Sequence, residues 1–245
     1  RVNLVPDGAS QKAQLKAGEV DLIPLEPQDV KPMRDAGFKI MGPKMIASPV
    51  VNFYKSYDPA YLTSNLEFRK ALALAIDMKA IVDAFYPPEV ASLASGPALF
   101  SPVTPGYDPT VPRYQYNPEE AKRLLGVAGY KGQEVTMWHY AFPGVPELPD
   151  LTVAIADYWR KVGVNVKLID ADWSTFVTKM RLQDFAPPAP VAVTGAQARP
   201  SLIQNIQVYM LGPGDGGFID GYPDTKDILA DYRRVTSIAD PREQD

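Results

Sequence analysis

The chain has 245 residues, 46% hydrophobic and 22% charged, which is enough apolar material to bury a sizeable core in one large or two modest domains. A formal net charge of −4 argues against a nucleic-acid partner, because neutralising a run of phosphates takes a concentrated excess of Lys and Arg. Cysteine is absent, which excludes disulfides and thiolate chemistry without assigning a redox compartment, no apolar run approaches the roughly 18 to 20 residues of a membrane span, and the polar opening lacks the regions of a signal peptide.

Residues 2–5 are short and extended, 10–17 are rich in helix formers, Gly18 sits where a helix stops, and 20–23 resume an extended run. Further extended segments cover 39–41 and 50–54. From Asn65 to Phe85 the apolar residues Leu66, Leu72, Ala73, Ile76, Ile81, Val82 and Phe85 recur at three- and four-residue steps, which predicts one amphipathic helix or two broken near Asp77. A long loop over 87–116 comes next, one of the stretches in which the 25 prolines cluster. Asn117-Pro118-Glu119-Glu120 then starts a helix that runs to Val127 and stops near Gly129. Strands over 134–140, 164–169 and 189–194 alternate with helices over 149–162 and 174–182, and 224–236 read as a last helix. Such alternation predicts an α/β layer fold.

Only one histidine is present, and the neighbours of His139, Trp138 and Tyr140, supply neither a nucleophile nor an orienting carboxylate. The three residues end a strand, so the expectation is that they line a ligand cleft rather than catalyse. Gly212 to Gly217 satisfies G-x-G-x-x-G literally, but the run from Phe218 to Pro223 directly after it cannot open a phosphate-cradling helix. Asp215, Asp220 and Asp224 have no EF-hand spacing and read as a surface loop. Asp170 and Asp172 could suggest glycoside hydrolysis, but a strand-to-helix connection commonly carries an Asp as a cap. Tyr107, Tyr114 and Tyr116 are either a ligand platform or apolar bodies laid over a core. Trp159, inside a periodic helix, and Trp173, at the start of one, are expected in the core.

Several longer motifs share one pattern. Arg69-Lys70-Ala71-Leu72 through Ala75-Ile76-Asp77 to Ile81 resembles the R-x-A-L-x-x-A-I-D-R-x-x-I helix of family 5 extracellular solute-binding proteins. Asn117 to Leu125 with Ala128-Gly129-Tyr130 is similar to that family's Y-D-P-E-K-A-K-x-L-L-x-E-A-G-Y, Tyr158 to Val166 to its L-x-K-I-G-I-x-V, and Asp172-Trp173-Ser174-Thr175-Phe176 to its D-W-x-x-F. Gln14 to Asp21 resembles A-L-x-x-G-E-I-D.

The resemblance implies a lobe of the periplasmic-binding-protein type II kind, with a mixed sheet flanked by helices, plus a partial segment of another lobe. Residues 1–50 are then a remnant of the first lobe and 51–245 most of the second, inserted one. It implies no enzyme and no cofactor, but the periplasmic substrate-binding component of an ABC transporter, exported as a longer parent, that captures a peptide or peptide-like ligand for a membrane permease. The rivals are a carboxylate-based hydrolase and a non-catalytic interaction module. After Phe185 the sequence departs from the family: residues 191–200 lack the Trp and the amino-anchoring Asp of peptide binders, and Thr194, Gln197 and Arg199 offer hydrogen bonds and a cation instead. A remnant with Val20, Leu22 and Ile23 uncovered would also favour self-association.

Overall fold

Caps and strand pairing together set the elements. The computed structural model describes residues 5, 7–41, 47–87, 91, 93, 107–142, 145–197, 202–209, 211, 217 and 226–238. Two compact units divide the chain, one formed by Arg1–Pro43 with Val82–Ser92, the other by Lys44–Ile81 with Leu93–Asp245.

In the first unit Asp7 caps α1 (Gly8–Lys16), accepting from the Ser10 backbone N–H at 2.6 Å. Pro27 occupies the first turn of α2 (Pro27–Asp35), which buries Val30 and Met33. The Lys12 ammonium donates to the Asp29 carboxylate at 2.7 Å and ties the two helices. α2 is not foreseen from the sequence, because Pro32 lies inside it and helices seldom tolerate an interior proline. The extended runs expected at 20–23 and 39–41 join no ladder. An extended segment needs a neighbouring strand to satisfy its backbone, and the described residues of this unit offer none. Leu22 is 72% exposed, while Val20 and Ile23 are half-buried.

The second unit contains β1 (Ala47–Phe53), whose register partners are residues 191–197. The stretch 65–85 is two helices, α3 (Leu66–Leu74) and α4 (Met78–Phe85). Asn65 caps the first and Asp77 the second, its carboxylate accepting from Ala80 N–H at 3.0 Å, which explains the break. α5 (Pro118–Val127) starts on Asn117, which accepts from Glu120 N–H. β2 (Val135–His139), α6 (Leu148–Lys161), β3 (Val166–Asp170), α7 (Trp173–Leu182) and β4 (Ala189–Gln197) alternate as expected. α8 (Leu202–Tyr209), not foreseen from the sequence, and α9 (Lys226–Thr236) come last. None of the described helices is long and apolar enough to cross a membrane.

The sheet order is β1-β4-β2-β3, with β2 parallel to both β3 and β4 and β1 antiparallel to β4. This is the expected mixed sheet flanked by helices. α6 packs across β4, β2 and β3, and α3 packs on α5. Trp159 of α6 is fully buried, and its indole N–H donates to the Leu72 carbonyl of α3 at 2.9 Å. Satisfying that donor lets a large aromatic sit in the core at no polar cost. An aromatic cluster made of Tyr54, Trp138, Tyr140, Phe176 and Phe185 forms a second core region, with Tyr140 stacked on Phe176 at 4.3 Å and Tyr54 on Phe185 at 4.3 Å.

Candidate functional site

Parallel pairing decides which residues can meet. Trp138 is in register with Ile169 of β3 and Ala192 of β4, so the carboxyl ends of β2, β3 and β4 reach the same edge of the sheet. The antiparallel β1 brings its amino end there as well, Ala47 opposite Gln197. Trp138 and Tyr140 therefore lie toward the same edge as Thr194 and Gln197, as the sequence predicts. Arg199 lies outside the described residues, and so do the Gly212 to Gly216 run and Asp215, Asp220 and Asp224.

Strand alternation divides the triplet that the sequence reading treats as one cleft lining. Successive side chains of a strand point to opposite faces, and the contacts obey that rule. Trp138 and Tyr140 both touch Phe176 of α7, whereas His139 pairs with Asp170, its register partner on β3. His139 Nδ1 and Asp170 Oδ1 are 2.7 Å apart; the Asp170 side chain is 90% exposed and that of His139 27%. The orienting carboxylate missing next to His139 in sequence thus comes from a strand 31 residues later. Asp170 is thus the partner of His139.

Trp138 and Tyr140 are more deeply placed than a cleft lining requires. Tyr140 is 2% exposed and gives its hydroxyl proton to the Val193 carbonyl of β4 at 2.9 Å, and burial pushes its phenol pKa well above the ordinary value, so it stays neutral. Trp138 is 9% exposed, with Lys179 over its ring. Thr194 is also buried; its hydroxyl oxygen accepts from the Asn52 amide at 2.5 Å across the β1–β4 pair.

Trp173 reverses the expectation of a core residue. It is half-buried at the start of α7, just past the end of β3, where a helix N-terminus opens toward the sheet edge. Its ring leans on Tyr140, centroids 5.4 Å apart, and meets Phe142 edge-on at 4.7 Å and 77°. Phe142, also half-buried, bridges to Val145 and lies against Gly195 of β4. Phe142 and Trp173 form an aromatic rim above the buried Tyr140 and Phe176. Sequence reasoning misses this rim because the rim residues come from separate strand ends; the only local signal is the aromatic content just after each strand.

Beside the rim, Asp172 caps α7. Its carboxylate accepts from the Ser174 hydroxyl, from Thr175 N–H at 2.8 Å and from the Thr175 hydroxyl at 2.7 Å, and these bonds, the Ser174 hydroxyl first, hold its pKa well below the usual carboxylate range. Asp172 is thus the cap expected from sequence, and its lone pairs are committed to α7. Among the described residues no group of three or more His, Asp or Glu could hold a metal ion. The edge can therefore offer an aromatic surface, a fixed imidazole and strand-end backbone groups, which suits holding a solute.

Comparison with known proteins points in the same direction. A family model described as bacterial extracellular solute-binding proteins, family 5, middle, matches residues 1–211. The chain is 28% identical over 186 residues to the heme-binding protein A of Haemophilus influenzae, a match covering 71% of this chain and 32% of that protein. It is also 28% identical over 186 residues to the dipeptide-binding protein of Escherichia coli, covering 73% of this chain and 33% of that one. The fold is similar to that of the ABC transporter substrate-binding protein CtaP of Listeria monocytogenes, with a TM-score of 0.73 at 20% identity over 98% of this chain and 48% of that one. The chain thus spans about a third of the length of these relatives and about half of that structure.

Proposed function

This chain belongs to the bacterial extracellular solute-binding proteins of family 5, and we propose that it is most of one lobe, with part of the other, of a receptor that captures a peptide or peptide-like solute. In this reading residues 1–50 come from the first lobe and 51–245 from the inserted second lobe. The receptor works in the periplasm and hands its solute to the permease of an ABC transporter. Closure of two lobes around a ligand makes contacts that the open form lacks, so the loaded state differs from the empty one in shape. No bond is broken.

The observation that carries the reading is the parallel register of β2, β3 and β4, which brings the strand ends at His139, Asp170 and Thr194 to one edge of the sheet, where α7 starts at Trp173. Ligands of open α/β sheets bind outside such strand ends. In this proposal His139 and the half-buried rim contact the solute, and Tyr140, Trp138 and Thr194 form its floor. A peptide as the solute is supported by the dipeptide-binding relative. The hydrolase alternative is weakened because Asp172 is occupied by its own helix and Asp170 by His139.

Mass spectrometry of the small molecule that copurifies with the full-length protein, followed by calorimetry with that molecule, tests the proposal. One-to-one binding of a peptide recovered intact is expected. Recovery of hydrolysed products that the protein regenerates from added substrate would overturn it.

A further inference from the structure

β4 carries no side chain at Gly195, and its neighbours fill that space. A Cβ built there would meet Phe142 Cε1 at 3.0 Å, Phe142 Cδ1 at 3.1 Å and Val145 Cγ2 at 3.2 Å. These are closer than the roughly 3.5 to 4.0 Å at which carbon atoms rest. The φ of Gly195 lies outside the left-handed region, so the position needs glycine for close approach, not for a turn. Phe142, seated on the bare strand, meets Trp173 edge-on at 4.7 Å, and Trp173 leans on Tyr140 at 5.4 Å. Tyr140 is anchored to Val193 of β4 and stacked on Phe176, so it cannot yield. Trp173 is the ring against which a displaced Phe142 moves.

We propose that Gly195 is a specificity-determining position, which through Phe142 sets the placement of Trp173 so that the rim accepts an aromatic or bulky apolar side chain of the solute. This rests on the reading of the sheet edge as a solute wall. Half-buried aromatic rings held edge-on leave ring surface for a further aromatic group, which prefers offset or edge contacts. Gly195 is a positioning residue in this scheme; Phe142 and Trp173 make the contact.

The test titrates alanyl-phenylalanine and alanyl-alanine into the full-length wild type, into Gly195→Ala, and into Gly195→Ala placed in a Phe142→Ala, Val145→Ala background. Near-UV circular dichroism, with Trp173→Phe marking the contribution of Trp173, reads the rim without any ligand. Gly195→Ala is expected to weaken alanyl-phenylalanine about tenfold, the usual scale for one displaced hydrophobic contact, to leave alanyl-alanine within about twofold, and to change the Trp173 signal. In the double-alanine background the change at 195 should have no further effect, because nothing remains for the Cβ to strike. Phe142→Leu, which keeps the apolar bulk but not the ring, gives a second reading if Gly195→Ala fails to fold, and should lose the preference for the aromatic dipeptide. An unchanged ratio of the two affinities in both variants, or equal loss of both dipeptides, would overturn the positioning role alone. A wild type that binds neither dipeptide would overturn it together with the peptide reading of the site.

Discussion

The face of the sheet under α6 and the carboxyl edge treat their tryptophans differently. Under α6, Trp159 is sealed from solvent and its one donor is satisfied by Leu72 of a neighbouring helix. At the carboxyl edge Trp173 stays half-buried, touching Tyr140 and Phe142. The first ring is held by everything a core offers, and the second is held only from behind. A large aromatic left partly open at a strand end is more than stability requires, and in the proposed function that surplus is what the solute meets.

The contrast is sharpest under truncation. Trp159→Ala should cost about 3 to 5 kcal/mol, the usual loss for a large buried aromatic, and leaves the Leu72 carbonyl without its partner. Urea denaturation measures it. Trp173→Ala should cost about 1 to 2 kcal/mol, as expected of a partly exposed side chain, while removing most solute affinity in a calorimetric titration. The reverse pattern, with Trp173 the costlier truncation, would erase the distinction between that face and the edge.

Asp172 gives a smaller effect, visible in the pH dependence. Its folded-state pKa is depressed below the ordinary 3.8 by the Ser174 and Thr175 bonds, so the stability it contributes is fully present above the unfolded value and is lost as pH falls below about 4 through the folded one. Asp172→Asn should flatten part of the acid limb of a stability–pH curve and leave the curve near pH 8 parallel to that of the wild type. The smallest effect belongs to His139: its pair with the exposed Asp170 should contribute no more than about 1 kcal/mol, so His139→Gln should barely move the denaturation midpoint but should weaken binding of the solute.

Most of the layer order is legible in the sequence. Asn65, Asp77, Asn117 and Asp172 are local signals, and each starts the helix it announces. The motif from Arg69 to Ile81 points to the family to which the chain belongs. What local patterns do not carry is pairing. Nothing near His139 announces Asp170, because parallel strands of one sheet are joined through a helix and their partners lie far apart in sequence. The same distance hides the contact of Phe142 with Trp173. The tryptophans at 138 and 173 depart from expectation in opposite directions because hydrophobicity locates a ring near a core without saying on which side of its boundary it falls. The extended runs of the first unit fail differently, by lacking a partner strand among the described residues.

The central proposal, that the carboxyl edge of the sheet receives the solute, can be read residue by residue. Titrating alanyl-phenylalanine into isotopically labelled protein and tracking the indole N–H signals of Trp138, Trp159 and Trp173 with the backbone amide of Gly195 compares the α6-covered face and the carboxyl edge in one spectrum. The expected result is a saturable shift of the Trp173 indole and of the Gly195 amide, with the Trp159 indole unmoved. Shifts that fall on Trp159 or on α1 and α2 while Trp173 and Gly195 stay still would contradict the assignment.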